Sequence, residues 1–295
     1  MISYEYKKPE TLDEAIELLS NYGTGATLIA GGTDVLVNMR NRKIAPEVLV
    51  SIRGIKDLQY IRKEKDYHIG AMTTHTMIDH SPLIQSELAA LQQGASQVGS
   101  VQLRNVATIG GNICNAAPSA DTAAPLLVFD AVAVLKSAKG SREVPVIDLF
   151  KGPSVCDLRS GEILVELKIS GEMSGYGSHY HKHVRRKALN LPIIGVAVAI
   201  KLNDQDIIED ARIGLTVVAP TPIRAHAAEA YLKGKPFTDE VLAEAGRLAS
   251  SPDCCTPRDS LRCKGWYRED MVRVLIPRAA KKAADQIRNR GEEKA

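Results

Sequence analysis

The stretch LIAGGTDVLV, at residues 28–37, places two adjacent glycines between two apolar runs. The first run predicts a short buried strand and the second a helix from Thr33, so Gly31 and Gly32 form a strand-to-helix turn. Glycine tolerates positive φ and, lacking Cβ, lets its amide approach a bulky anion. Free amides and the positive dipole end at a helix start favour phosphate oxygens. The turn is therefore either a plain bend or an anion site.

Asp34 follows this turn, and a carboxylate beside a phosphate would repel it. We therefore expect Asp34 to offer its amide, or to cap the helix with its side chain, while its charge points away. The turn lacks the G-x-G-x-x-G spacing of a Rossmann loop, and the chain contains no G-x-x-x-x-G-K-[ST]. The usual NAD-binding and ATP-binding motifs are thus excluded.

A second Gly-Gly pair lies in ATIGGNICN, at residues 107–115, and is followed by the polar run NAAPSAD. In that run Ser119 and Asp121 are natural caps for a helix through Leu126 and Leu127. The Asp121 carboxylate would equally suit a ribose or ribityl hydroxyl. Both roles stay open at the level of sequence.

The size and composition predict a two-domain, cytoplasmic protein. The chain has 295 residues, and 38 Lys and Arg against 35 Asp and Glu leave a net charge of only +3, which indicates no nucleic-acid partner. Its longest apolar stretch, LPIIGVAVAI, is about half of the ~20 residues that a membrane helix needs. The 5 cysteines show neither zinc-site nor iron–sulfur spacing, so any cluster must belong to another chain.

The periodicity of the chain predicts an α+β fold. Thr11 and Glu14 form a capping box for a helix that ends at Gly23, and strands at 26–30 and 47–52 flank a helix at 33–41. Further predicted elements are hairpins with tips at 63–66 and 139–142, one or two helices within 75–99, and a strand at 162–170.

The second half of the chain predicts a small antiparallel sheet backed by helices. Small residues at 170–178 predict a linker, and two strands are joined at 203–206. Thr221 and Pro222 predict a helix N-cap and first turn, followed by helices at 239–248 and 267–287. We therefore expect domains at 1–175, with subdomains at about 1–55 and 56–175, and at 176–295.

Three segments together resemble the FAD-binding medium subunit of the xanthine dehydrogenase and carbon monoxide dehydrogenase family of molybdenum hydroxylases, nicotinate dehydrogenase-type relatives included. They are IAGGTDVLV, LRNVATIGGNICNAAPSAD and RRKALNLPIIGVAVAI, and the likeness extends to CKGWYREDMVRVLIPRAA near the C-terminus. The resemblance implies a two-part FAD-binding domain of the vanillyl-alcohol oxidase/p-cresol methylhydroxylase type and a small C-terminal domain. In that family two Gly-Gly loops hold the FAD diphosphate from both sides.

The resemblance also implies the cofactor-binding residues of this chain. Asp121 would bind ribose or ribityl hydroxyls, Leu164 would lie near the adenine or flavin, and either Lys182 or Lys187 would approach the flavin or diphosphate. Val98 and Val101 stand where the family often has a bulkier apolar residue. The full implied set is Ile29, Ala30, Gly31, Gly32, Thr33, Asp34, Val35, Leu36, Val101, Thr108, Ile109, Gly110, Gly111, Asn112, Asp121, Leu164, Lys182 and Lys187.

The function implied by the resemblance is electron transfer, with no catalytic residue in this chain. A small subunit with two [2Fe–2S] clusters and a large molybdopterin-binding subunit are the expected partners, for example as a dimer of heterotrimers. FAD would pass electrons to NAD⁺ or NADP⁺, while the large subunit hydroxylates a purine, an N-heterocycle such as nicotinate, an aldehyde or carbon monoxide.

Alternative readings start from other features of the chain. A self-contained two-loop FAD oxidase would need an aromatic substrate pocket, for which 3 Phe and 1 Trp offer little material. A non-catalytic interaction subunit would have lost its flavin.

His179, His181 and His183 alternate along one strand, and alternate histidines can ligate a metal ion. The neighbouring Lys and Arg side chains would repel a cation, which argues against a metal site. The alternative is a solvated basic strand.

Overall fold

A computed structural model describes residues 3–186 and 189–292 and shows a mixed α/β fold. The N-terminal part is a three-stranded parallel sheet in the order β1-β3-β2. Its elements are β1 (Glu5–Lys7), α1 (Leu12–Tyr22), β2 (Ala26–Ile29), α2 (Val35–Arg40) and β3 (Val48–Ser51). The predicted alternation of strands and helices in this part is confirmed.

The first helix shows how local sequence sets an element. Thr11 Oγ1 accepts a hydrogen bond from the Glu14 N–H at 3.2 Å, and the Glu14 carboxylate accepts from the Glu10 N–H at 2.8 Å. The helix stops at Gly23, whose φ of +51° suits glycine. Its buried face, which includes Ile16 and Leu19, packs in one cluster with the strands of the small sheet.

The middle of the chain forms a five-stranded antiparallel sheet in the order β4-β5-β10-β6-β7, with its helices in a connected core. Both predicted hairpins, β4-β5 and β6-β7, are confirmed. The elements are β4 (Ile61–Lys63), β5 (Tyr67–Gly70), α3 (His75–Asp79), α4 (Pro82–Glu87), α5 (Ala89–Ser96), α6 (Val101–Arg104), α7 (Ile109–Cys114), α8 (Ala123–Val128), β6 (Val132–Ser137), β7 (Gly140–Pro145), α9 (Val146–Leu149), β8 (Phe150–Gly152), β9 (Val155–Cys156) and β10 (Ile163–Ile169).

The stretch predicted as one or two helices folds as three, α3, α4 and α5. Ser81 caps α4 by accepting from the Ile84 N–H at 3.4 Å, and Pro82 occupies the first turn. Since proline cannot donate to a preceding helical turn, α3 ends before it and a new helix begins.

The C-terminal part is a four-stranded antiparallel sheet in the order β11-β12-β13-β14, covered by helices as predicted. Its elements are β11 (Gly177–His183), β12 (Ile194–Leu202), β13 (Ile208–Thr216), β14 (Ile223–Arg224), α10 (His226–Leu232), α11 (Asp239–Ala249) and α12 (Gly265–Glu292).

The prediction of a helix capped by Thr221 is wrong, because the chain there forms β14. Ile223 and Arg224 pair with β13, and α10 begins only at His226. Arg224 also forms an ion pair with Glu229 at 2.6 Å. Pairing with the edge of the preceding strand, β13, therefore outweighs the local helix signal of Thr-Pro.

The expected linker at 170–178 is a packed turn rather than a flexible spacer. Met173 and Tyr176 are buried, and a Cβ on Gly177 would overlap the Ala283 carbonyl oxygen of α12. Tyr180 of β11 and Ala197 of β12 belong to the core of the middle part. The small residues at this junction thus permit close packing between the two parts.

Across residues 3–186 and 189–292, every helix is too short or too polar to cross a lipid bilayer.

Candidate functional site

A cavity of about 600 Å³ lies between the two glycine loops. The first glycine loop is residues 30–34, between β2 and α2, and the second is residues 108–112, at the start of α7. Segments around Met72, Val98, Leu164 and Leu191 complete the wall. A cavity of this size, largely apolar with a few polar groups, is typical of small-molecule and cofactor sites.

The first glycine loop presents a run of unpaired amides. Within the described residues, no acceptor pairs with the backbone N–H groups of Gly31, Gly32, Thr33 and Asp34. Gly32 has a φ of +77°, a left-handed conformation that glycine adopts without strain. Successive unpaired amides on such a turn form an anion-binding concavity. This geometry agrees with the anion-site reading of the sequence.

Asp34 does not cap α2 with its side chain, contrary to one of the two predicted roles. It occupies the N-cap position, but its φ of −103° and ψ of −45° are helical, and no capping hydrogen bond forms. Side-chain capping normally requires an extended N-cap residue. Partial desolvation by the surrounding cavity wall raises the pKa of the Asp34 carboxyl above its ordinary value, although the residue is exposed. The predicted role that remains for Asp34 is its free amide.

The second glycine loop is the first turn of a helix, and the protein already uses its amides. Thr108 Oγ1 caps α7 by accepting from the Gly111 N–H at 3.1 Å. The Ile109 N–H donates to Thr73 O at 3.0 Å, and the Gly110 N–H donates to Ala71 O at 2.9 Å. The second loop is therefore anchored to the segment before α3.

The two loops approach each other closely because of their glycines. A Cβ on Gly31 would overlap the carbonyl oxygen of Val106, just before the second loop. A Cβ on Gly111 would meet Thr108 Oγ1 at 3.0 Å and the Ala30 Cβ at 3.9 Å, and nothing else within 4 Å. Gly111 thus leaves open a space facing the first loop. This space and the free amides opposite it fit the diphosphate of a dinucleotide cofactor.

Asp121 lies on the cavity wall in a buried ion pair. Its carboxylate accepts from Lys182 Nζ at 2.8 Å and from the Tyr180 hydroxyl at 2.9 Å. Burial raises the pKa of Asp121 to about 6, because desolvation outweighs Lys182 and Tyr180. Thr122, not Asp121, precedes α8 as its N-cap residue. The capping role suggested for Asp121 is therefore excluded by a partner distant in sequence.

Two further polar groups on the wall have defined partners. The Thr122 hydroxyl donates to Asn112 Oδ1 at 2.6 Å, which leaves the Asn112 amide nitrogen unpaired among the described residues. Glu162 forms an ion pair with Arg142 at 2.7 Å, which lowers the pKa of Glu162. Asn112 thus offers donors to a ligand, whereas Glu162 is held by the protein.

The structure brings most of the predicted cofactor-binding residues to one cavity. The residues that line it are Ala30, Gly31, Gly32, Thr33, Asp34, Val35, Thr108, Gly110, Gly111, Asn112, Asp121 and Leu164. Lys182 reaches the site through its ion pair with Asp121, and Lys187 lies outside the described residues.

Four predicted residues do not line the cavity. Ile29 packs with Met39 and Leu49, because alternate residues of a strand face opposite sides. Ile109 is buried in the core, and Leu36 on α2 is 49% exposed. Val101 starts α6 with 58% of its surface exposed, and Val98 lines the cavity in its place.

Sequence reasoning missed several wall residues, notably His75, Leu103 and Asn190. His75 follows two threonines at an ordinary helix start, which gives no signal of a site. Leu103 and Asn190 come from segments far apart in sequence. Only the folded chain brings them together with the glycine loops.

The alternating histidines of β11 are half-buried instead of forming a solvated strand. His183 Nε2 lies 3.0 Å from the Tyr267 hydroxyl of α12. Burial and the nearby Lys282 lower the pKa of His179 to about 4. Across the described ranges, 3–186 and 189–292, no group of three or more His, Cys, Asp or Glu side chains is arranged to hold a metal ion.

The two glycine loops face each other, and the first of them carries the unpaired amides. Together with the buried Asp121 carboxylate, they place this α+β protein in the class of proteins that bind a dinucleotide cofactor. Comparisons with known proteins narrow this class. The family described as the FAD-binding domain in molybdopterin dehydrogenase matches residues 2–169, and the family described as the CO dehydrogenase flavoprotein C-terminal domain matches residues 179–283.

Individual relatives cover most of the chain. A nicotinate dehydrogenase FAD-subunit of Eubacterium barkeri is 35% identical over 82% of this chain and 83% of its own. A xanthine dehydrogenase FAD-binding subunit of Escherichia coli O157:H7 is 34% identical, covering 94% and 95%. A chain of carbon monoxide dehydrogenase from Hydrogenophaga pseudoflava, in a form lacking the Mo-pyranopterin moiety, superimposes with a TM-score of 0.90 at 35% identity, covering 96% and 98%.

This chain belongs to the family of FAD-binding medium subunits of molybdenum-dependent dehydrogenases. The resemblance seen in the sequence is therefore confirmed.

Proposed function

We propose that this chain binds FAD between its two glycine loops and serves as the electron-transfer subunit of a molybdenum hydroxylase complex. The observation that carries the proposal is the run of unpaired amides from Gly31 to Asp34, which faces the open space at Gly111. A diphosphate placed there would receive hydrogen bonds from backbone groups that have no protein partner.

The proposed roles of the other residues follow from their partners. The Asn112 amide nitrogen adds a donor beside the second loop, and Leu164 provides an apolar surface for a ring. Asp121 is the acceptor for ribose or ribityl hydroxyls, held in place by Tyr180 and Lys182. Of the two lysines, Lys182 therefore acts through Asp121, and a contact from Lys187 stays a prediction.

Because the cofactor carries the redox chemistry, the proposed function requires no catalytic residue in this chain. When bound, FAD would supply the redox chemistry, taking up two electrons from iron–sulfur clusters together with a proton and passing them as a hydride to NAD⁺ or NADP⁺. The residues of the chain bind the diphosphate, orient the cofactor and exclude water. None of these roles requires a general base or a nucleophile.

The partners and substrate of the complex are proposed from the family. We infer a small subunit with [2Fe–2S] clusters and a large molybdopterin subunit, assembled as a dimer of heterotrimers or similarly. Two relatives are named for nicotinate and xanthine dehydrogenases. A purine or another N-heterocycle is therefore our first choice of substrate, hydroxylated on the large subunit. The domain boundary at 175/176 is part of the same proposal.

The test is to purify the chain with its co-purifying partners, record the visible spectrum, release the cofactor and measure NADH- and NADPH-driven dye reduction. We expect a yellow protein, released FAD and dye reduction by one of the two nucleotides. A colourless protein with no releasable FAD contradicts the proposal. A yellow monomer that oxidises a small substrate unaided supports the oxidase alternative.

A further inference from the structure

A pocket of about 470 Å³ lies outside the cofactor cavity, between the connection from β11 to β12 and the segment that leads into α12. Arg185 and Ile193 line it from the first segment, and Arg262, Lys264 and Trp266 line it from the second. We call it the basic pocket, because the lining residues that the structure describes include three cations and no Asp or Glu. Its volume is typical of small-molecule sites, and its charge favours an anion.

Two arginine side chains of the basic pocket keep donors available to a ligand. Arg185 donates one N–H to the carbonyl oxygen of Arg262, which joins the two segments. The Arg262 guanidinium itself has no hydrogen-bond or ion-pair partner among the described residues. Lys264, by contrast, pairs with the exposed Asp259 carboxylate at 2.7 Å. Since a guanidinium matches the geometry of a phosphate, Arg185 and Arg262 are the candidates to bind one.

A further positive charge is buried behind the wall of the basic pocket. Arg268 is 2% exposed, and its Nε donates to the carbonyl oxygen of the wall residue Ile193 at 3.0 Å. Its other hydrogen bonds go to the Arg258 carbonyl and the Ser260 hydroxyl, so every recorded partner is neutral. A buried charge is normally paired with an opposite charge. An anion held in the pocket would supply part of that compensation.

An exposed aromatic ring forms one side of the basic pocket. Trp266 is 62% exposed and meets Tyr267 edge-on, with the ring centroids 5.9 Å apart. Tryptophan is highly buried on average in folded proteins, so this exposure is unusual. Exposed aromatic faces stack on nucleobases. A tryptophan beside two arginines therefore fits a nucleotide better than a bare inorganic anion.

The charge of the basic pocket also indicates which pyridine nucleotide it fits. In dinucleotide sites a carboxylate commonly binds the ribose 2′-hydroxyl of NAD, whereas an arginine accommodates the 2′-phosphate of NADP. The described lining of the basic pocket has the arginines and lacks the carboxylate. Leu189 and Leu191, on the same connection between β11 and β12, line the cofactor cavity. The basic pocket and the cofactor cavity thus share one segment of wall.

We propose that the basic pocket binds the adenosine 2′-phosphate end of NADP⁺ and NADPH, with the adenine on Trp266 and the phosphate on Arg185 and Arg262. This inference rests on the proposed function, because that function requires a pyridine nucleotide. The competing occupant is an acidic side chain of a partner subunit, which would take the same arginines in the assembled complex.

The first test uses fluorescence, because Trp266 is the only tryptophan of the chain and reports on this pocket alone. The full-length chain is titrated with adenosine 2′,5′-bisphosphate and with adenosine 5′-monophosphate. We expect saturable quenching by the bisphosphate, with a dissociation constant about tenfold lower than that of the monophosphate. Unchanged Trp266 fluorescence, or equal affinities for the two probes, overturns the inference.

Arg262→Gln removes the charge of the unpaired guanidinium and should weaken binding of the bisphosphate about tenfold. Arg258→Gln is the matched control, because it makes the same change on an exposed arginine of the same segment that does not line the pocket. Its dissociation constant should stay within twofold of that of the unmodified chain. Equal affinities of the Arg262→Gln and Arg258→Gln chains contradict the proposed contact.

The second test measures dye reduction by the assembled complex with NADPH and with NADH. We expect Arg262→Gln to lower the ratio of kcat/KM for NADPH to kcat/KM for NADH about tenfold, and Arg258→Gln to leave that ratio unchanged. An unchanged ratio in Arg262→Gln overturns the inference and is the result expected if a partner subunit fills the pocket. A complex without FAD or dye reduction contradicts the proposed function instead, and the fluorescence titration still decides whether the pocket binds the nucleotide.

Discussion

The two glycine loops carry the same dipeptide and use it for different purposes. In the first loop, Gly32 takes a left-handed conformation, and four successive amides, from Gly31 to Asp34, have no partner among the residues that the structure describes. In the second loop, Gly110 and Gly111 lie in a helix whose early amides pair with Thr108 and with the segment before α3. The first loop offers hydrogen-bond donors to a ligand. The second loop leaves space for that ligand and is itself hydrogen-bonded to the segment before α3.

A glycine pair in a sequence does not specify whether the backbone freedom of glycine or its missing Cβ is needed. Gly31 is required for contact with Val106, Gly32 for its φ, and Gly110 for its contact with Ala71. Gly111 is the residue whose missing Cβ faces the cavity. The two-sided hold on a diphosphate expected from the family resemblance is thus asymmetric in its hydrogen-bond donors.

The largest expected effect concerns the buried Asp121–Lys182 pair on the cavity wall, beyond the second loop in sequence. In Lys182→Met the buried Asp121 carboxylate loses its cation, and breaking a buried pair costs roughly 3–5 kcal/mol at a pH well above the Asp121 pKa of about 6, where the carboxyl cannot avoid the charge by taking up a proton. Urea unfolding should show this loss in the free energy of unfolding. Lys201→Met removes the exposed lysine of the Lys201–Glu209 pair and serves as the control. Equal stability of the two variants would mean that the buried pair does not stabilise this side of the site.

The pH dependence of stability tests the same side. The pKa of Asp121 is raised to about 6 in the folded chain from 3.8, so the folded state binds this proton more tightly than the unfolded state. The resulting stabilisation is present below about pH 4 and is lost as the pH rises through 6, by up to roughly 3 kcal/mol. Subtracting the unfolding profile of Asp121→Asn from that of the unmodified chain should isolate this slope. A flat difference between pH 4 and 7 would rule it out.

The contact between the loops is tested by Gly31→Ala. The added methyl group would overlap the backbone oxygen of Val106, and such overpacking costs roughly 1–3 kcal/mol. Both the thermal stability and FAD binding should fall. Gly175→Ala adds the same methyl group where nothing lies within 4 Å and should change neither. Wild-type stability in Gly31→Ala would show that the loops can separate freely.

The smallest expected change in stability, and the sharpest comparison, comes from neighbouring glycines of the second loop. Gly111→Ala should change the stability by less than about 1 kcal/mol, because the helix preference of alanine is offset by a 3.0 Å contact with Thr108 Oγ1, yet it should weaken FAD binding about tenfold by filling the space that faces the first loop. Gly110→Ala should destabilise the chain, since its Cβ would meet Ala71 at 2.7 Å. Melting curves and FAD titrations separate the two effects. Similar results for both variants would show that the cavity does not distinguish the two glycines.

Local signals predicted the fold well wherever an element depends on its own residues. The α1 capping box, both hairpins and the long last helix are examples. The errors occur where contacts outside the helical pattern compete: β14 pairs with the preceding strand β13, so the helix starts later than Thr221, and a turn packed against α12 replaces the linker. Ser81 and Pro82 are a local signal of the same kind as the α1 cap, and they start α4 within a stretch predicted to hold at most two helices.

The candidate site shows the same distinction between what local sequence predicts and what the folded chain adds. The two glycine motifs, the aspartate that follows the second one and the family resemblance can be recognised from the sequence, because they depend on residue types at fixed spacings. Which amides stay free, the pairing of Asp121 with Lys182, and the lack of a partner for the His75 ring among the described residues become visible only in the folded chain. Those outcomes depend on hydrogen-bond partners and burial contributed by distant segments, which spacing along one chain does not encode.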